Sequence, residues 1–122
     1  MMLLKGMSPL ESEQRIRNMK RVIIEEVEKY EDEKFVRPVL FKGERTTSLL
    51  LCLKPGQAMP SHRHEGFEIV LQPLQGEAEA VLDGEQAFLR TGEIIFVDGA
   101  NDFAPVNKGD KNFTMLITLV RR

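Results

Sequence analysis

The sequence has 122 residues, enough for one domain with a single sizeable core. Hydrophobic residues make up 42% and charged residues 30%, the balance of a soluble globular protein and not of a disordered tail. Lys and Arg total 17 against 19 Asp and Glu, and a formal net charge of −2 leaves no electrostatic footprint for nucleic acid.

Cys52 is the only cysteine, so no internal disulfide can form and a reducing compartment is expected. It sits in the apolar run Leu49-Leu50-Leu51-Cys52-Leu53, where a buried, inert thiol is expected in preference to a nucleophile. Met1 to Leu4 is too short for a signal segment, and no apolar run is long enough to span a bilayer. The expected address is the cytoplasm, with no membrane partner.

Taken in chain order, Ser8-Pro9-Leu10-Glu11 is a helix start, with an N-cap serine, proline at the first position and glutamate at the third. Ile16, Met19, Ile23, Val27 and Tyr30 then recur at three- and four-residue spacing. The pattern predicts helix over Pro9 to Lys20. From Arg21 to Asp32 two readings stay open, a continued helix or a short strand at Val22-Ile23-Ile24, where β-branched residues cluster. Residues 1–34 therefore read as an N-terminal helical arm and residues 35–122 as a β-barrel domain.

From Phe35 onward the texture changes to short apolar runs broken by turn residues. The runs are Phe35–Phe41, Thr46–Leu53, Glu68–Leu71, Glu77–Leu82, Gln86–Leu89, Glu93–Val97, Phe103–Val106 and Phe113–Val120. Asp83-Gly84 is a hairpin signal, since both central positions of that turn need positive φ. Pro38 marks the first strand as an edge or its start. Regular short strands with glycine-bearing turns predict an all-β sandwich or barrel.

The chemistry concentrates in Gly56 to Gly76. Both histidines of the chain, His62 and His64, fall there, and Glu68 follows four residues after the second. On an extended backbone the three share a face, and Gly66 between the last two has no side chain to block it. Imidazole nitrogens from two such histidines can converge on one ion at roughly 2.0–2.2 Å. The competing reading is a pair of solvated loop histidines beside a surface glutamate.

Gly56, His62, His64, Glu68 and Gly76 resemble the first signature of the cupins, G-x5-H-x-H-x3-E-x6-G, with seven residues in place of six before Gly76. The extra residue is read as a bulge around Gln72-Pro73. The second signature, G-x5-P-x-G-x2-H-x3-N, can be laid on Gly92 to Asn107. Its ends match, but Asp98, Ala100 and Phe103 stand where the family has proline, glycine and histidine.

The resemblance implies an antiparallel jelly-roll barrel holding a divalent metal (Fe, Mn, Ni, Cu or Zn) through His62, His64 and Glu68. Phe103 would stand as an apolar wall in place of a fourth ligand. It also implies a metal-dependent enzyme acting on a small molecule, oxygenase- or isomerase-like, since two histidines and a carboxylate match the facial triad of non-haem iron. The alternative is a non-catalytic binding or sensing cupin, metal-free. The apolar stripe of the arm must be buried somewhere, and a homodimer with the arm in its interface is expected.

Overall fold

The computed structural model describes residues 19–122. The helix expected over Pro9 to Lys20 lies outside them except for Met19 and Lys20, which are exposed and not helical. Between Arg21 and Lys34 neither a long helix nor a strand forms. A single helical turn, α1 (Ile24–Val27), interrupts an otherwise irregular segment. Its N-cap is Ile23, which offers no side-chain hydrogen bond, and no basic residue faces its C-terminal end. A turn so poorly capped, with β-branched residues at its start, does not propagate.

The stretch from Glu28 to Asp32 is strapped along the outside of the barrel. Thr114 is fully buried, and its hydroxyl donates to Glu28 Oε2 at 2.8 Å. Having spent its proton there, Thr114 Oγ1 accepts from the Tyr30 hydroxyl. Gln57 Nε2 donates to Glu31 O at 2.6 Å, and Lys54 pairs with Asp32. Cys52 pairs with Thr114 in the sheet and is likewise buried, with its thiol pKa raised by that burial, as its apolar run predicts.

Eight strands follow: β1 (Val39–Lys42), β2 (Thr46–Leu53), β3 (Phe67–Gln75), β4 (Glu77–Leu82), β5 (Glu85–Arg90), β6 (Ile95–Asp98), β7 (Phe103–Val106) and β8 (Phe113–Arg121). They form a five-stranded sheet in the order β1-β2-β8-β3-β6 and a three-stranded sheet in the order β5-β4-β7, every pairing antiparallel. The fold is all-β, as the turn spacing predicts. β1, which begins just after Pro38, lies at an edge. Asp83 and Gly84 both take positive φ, 46° and 83°, which closes the β4–β5 hairpin.

Pro73 sits inside β3, a strand expected to end at Leu71. β3 pairs with β6 only as far as Leu71, so beyond that point it has a neighbour on one side alone, β8. A residue without an N–H is tolerated on such a free edge. The register shifts between Pro73 and Gln75, the bulge that the extra residue before Gly76 predicts.

The core lies between the sheets. The large sheet contributes Leu49, Leu51 and Leu53 from β2, Ile69 and Leu71 from β3, and Phe113, Met115, Ile117 and Leu119 from β8. The small sheet contributes Ala78 and Ala80 from β4, Leu89 from β5 and Phe103 from β7. Burial alternates along β3, so Ile69, Leu71 and Pro73 face inward while Glu68, Val70 and Gln72 face outward.

Candidate functional site

The histidines do not lie on β3. They belong to the segment before it, which runs antiparallel to β7 through bridges at Ala58–Val106 and His62–Phe103. His62 N donates to Phe103 O at 3.2 Å, and Phe103 N donates back to His62 O at 3.0 Å. This segment extends the small sheet, whereas Glu68 is in the large one. The chain crosses between them in a turn closed by Phe67 N donating to His64 O at 3.0 Å. Gly66 makes that turn possible with φ of 84°, a conformation that side chains with a Cβ rarely adopt.

The turn resets the alternation on which the sequence reading of Glu68 depends. His62 and His64 meet, with ring centroids 4.7 Å apart and planes at 85°. Glu68 faces outward, opposite Asp98 on β6 and Val120 on β8, and its Oε2 lies 3.6 Å from Arg122 Nη1. The inward place beside the histidines is taken by Ile69, the residue separated from Gly76 by the six residues of the family spacing. Among the described residues, no three His, Cys, Asp or Glu side chains are grouped as a metal site. The expectation that Glu68 points into the barrel with the histidines is corrected on this point.

The imidazoles open onto a recess lined by Arg37, Leu49, Met59, Ile69, Phe103, Ile117 and Leu119. Phe103 is the apolar wall expected from its place in the second signature. The free room is about 10 Å³, enough for one water molecule. His62 Nδ1 donates to Pro60 O at 2.9 Å, which fixes its tautomer and leaves Nε2 available. The His64 pKa is lowered by burial first, then by His62 and by Arg37. Arg37 is a site residue that the sequence reading missed. It precedes Pro38 and the edge strand β1, and nothing in the sequence places that stretch beside the histidines.

The mouth is held by backbone and charge. His64 N donates to Gly99 O and Gly99 N donates to Phe67 O, both at 2.9 Å. Arg63 Nε donates to Asp102 Oδ1 at 2.7 Å, lowering the Asp102 pKa. Arg122 Nη2 donates to Asp98 Oδ2 at 2.8 Å, and its backbone N donates to Gly66 O at 2.8 Å. Arg122 thus ties the histidine turn to the end of β6.

Two sheets folded over one core, with a polar pair at the mouth, define a small single barrel of the jelly-roll class. The family described as Cupin domain matches residues 49–119, and the chain belongs to it. No curated protein matches the chain significantly. Among solved structures, the TT1209 protein from Thermus thermophilus is similar at 28% identity and a TM-score of 0.78, over 85% of this chain and 99% of that one. A conserved protein with a double-stranded β-helix domain from Klebsiella pneumoniae is similar at 20% identity and a TM-score of 0.79, over 88% of this chain and 89% of that one. A Cupin_2 domain of an XRE-family transcriptional regulator from Enterobacter cloacae is similar at 21% identity and a TM-score of 0.69, over 74% of this chain and 99% of that one. The last two likenesses speak to fold alone.

Proposed function

We propose that the chain is a non-catalytic small-molecule-binding cupin whose ligand site is the recess under His62 and His64. One observation carries this reading: the inward positions around the two imidazoles are hydrocarbon, Ile69 and Phe103, where a catalytic metal centre needs further donors. Apolar walls with a few convergent polar groups are the usual make-up of a ligand pocket. The test is thermal unfolding of the purified protein against a library of small molecules, together with elemental analysis and oxygen uptake. The reading expects stabilisation by a ligand that is recovered unchanged. Stoichiometric retained metal with oxygen consumption would contradict it.

A second reading keeps a divalent metal at His62, His64 and Glu68, as the resemblance implies. It is favoured by the 4.7 Å spacing of the rings and by the hydrogen bond from His62 Nδ1 to a carbonyl, the habit of a metal-ligating imidazole. The donor set does not fit it as it stands, because Glu68 is turned toward Arg122 and would have to cross to the other face of β3. Assembly as a homodimer is part of the proposal. Met19 and Ile23 of the arm are exposed at 38% and 51%, apolar surface that a second copy would cover. A monomer in sedimentation velocity at micromolar concentration would contradict the dimer.

A further inference from the structure

We propose that the recess under His62 and His64 is a carboxylate site, in which Arg37 takes the anionic head of a small monocarboxylate and the apolar floor takes its hydrocarbon end. The inference rests on the ligand-site reading above and names the class of ligand. The polar groups of the recess are Arg37 and two imidazoles, and no acidic side chain lines it. Its remaining walls are Leu49, Met59, Ile69, Phe103, Ile117 and Leu119. A hydrocarbon floor under a cation asks for a ligand with one negative end and an aliphatic body.

Of the arginines around the histidines, pairing sets Arg37 apart. Arg63 is held by Asp102, and Arg122 by Asp98 and Glu68. Among the described residues no hydrogen bond or ion pair engages Arg37. The one carboxylate expected inside, Glu68, is turned outward to Arg122. A guanidinium beside apolar surface without a counter-charge gains from an anion, and its planar fork matches a carboxylate with two parallel hydrogen bonds. The imidazoles can donate as well, His64 through a ring N–H, while the Nδ1–H of His62 is engaged by Pro60 O.

Size restricts the class further. The free room of about 10 Å³ is that of one water molecule, so only a short ligand can enter, displacing that water and moving the walls. Met59, whose unbranched thioether adapts its shape readily, is the wall that yields to a short aliphatic tail.

His62 and His64 are the only histidines, so two sets of imidazole resonances report on the recess. The experiment titrates the full chain with propionate, its neutral isostere propionamide, and inorganic phosphate, following those resonances in the wild type and in Arg37→Gln. The expected result is a saturable shift with propionate, weakened about tenfold or more in Arg37→Gln, the scale of one charge-assisted hydrogen bond. Propionamide and phosphate, lacking the charge or the hydrocarbon, should bind at least about tenfold more weakly. Arg37→Gln should keep the wild-type urea midpoint, which rules out unfolding as the cause. Equal shifts from propionate and propionamide would overturn the carboxylate assignment and leave the ligand site standing. Propionate binding untouched by Arg37→Gln, or phosphate binding as tight as propionate, would also overturn it. No saturable shift with any of the three would overturn the carboxylate assignment, while the ligand-site reading stands or falls on the library screen.

Discussion

At Gly99 an added Cβ would lie 2.1 Å from the His64 carbonyl oxygen and 2.6 Å from that of Phe67. Both neighbours are backbone, so neither can swing aside, and the glycine lets the β6–β7 loop press against the histidine turn. Gly99→Ala should cost about 1–3 kcal/mol, the usual range for overpacking. It should also move the imidazole resonances of His64; an unchanged urea midpoint would contradict the close approach. His64 carries a pH dependence whose sign follows from its lowered pKa, set by burial first, then His62, then Arg37. The unfolded chain takes up the proton at a higher pH than the folded one. The contribution of the neutral ring is therefore fully present above about pH 6.5 and is lost as the pH falls through the folded value. Urea midpoints measured from pH 8 down to about 5 should fall on the acid side, and His64→Gln should flatten part of that slope. Equal slopes in the two proteins would contradict it. Asn107 is fully buried, donating to Leu53 O at 3.0 Å and Lys111 O at 2.8 Å and accepting from Gly109 N at 3.0 Å. Asn107→Ala strands these partners and should cost about 2–4 kcal/mol by urea unfolding, since each buried unsatisfied group costs about 1–3. A loss within 0.5 kcal/mol, the scale of an exposed site, would contradict that role.

Among the elements, the arm depends on one buried threonine. Thr114 donates a hydrogen bond to Glu28 and accepts one from Tyr30, so Thr114→Val leaves a carboxylate and a phenol without their partner. The substitution should cost about 1–3 kcal/mol and expose the arm to limited proteolysis before the barrel unfolds. Proteolysis of arm and barrel at one rate would contradict the strapped arrangement. The strands were legible in the sequence where a turn signal closed each end: β2, β4 and β7 run over the residues their apolar runs predict. β3 was harder to read because Pro73 looks like a stop, and only the pairing shows that β6 has already ended there. From Arg21 to Lys34 the conformation was not legible, since the helical spacing of Ile23, Val27 and Tyr30 is overridden by weak caps and by bonds to Thr114. The site was half legible. Two histidines in one short segment announced themselves, and their rings do meet. Glu68 misled because counting alternate residues assumes an unbroken strand, and Gly66 breaks it.

For the whole molecule, the two sheets give the histidine pair its character. The segment carrying the imidazoles extends the small sheet, the large sheet supplies the floor, and the turn between them decides which residue of β3 faces inward. That residue is Ile69, with Glu68 outside beside Arg122. No helix among the described residues is long and apolar enough to cross a membrane. The inward place of Ile69 is the central claim, because it separates a ligand recess from a three-donor metal centre. Calorimetric titration of Zn²⁺ into the wild type, Glu68→Ala and Ile69→Glu tests it most directly. Glu68→Ala should titrate like the wild type. Ile69→Glu should bind at least about tenfold more tightly, since even outer-shell partners of a metal are worth about 10–100-fold. Stoichiometric binding by the wild type that Glu68→Ala abolishes and Ile69→Glu does not strengthen would contradict the account.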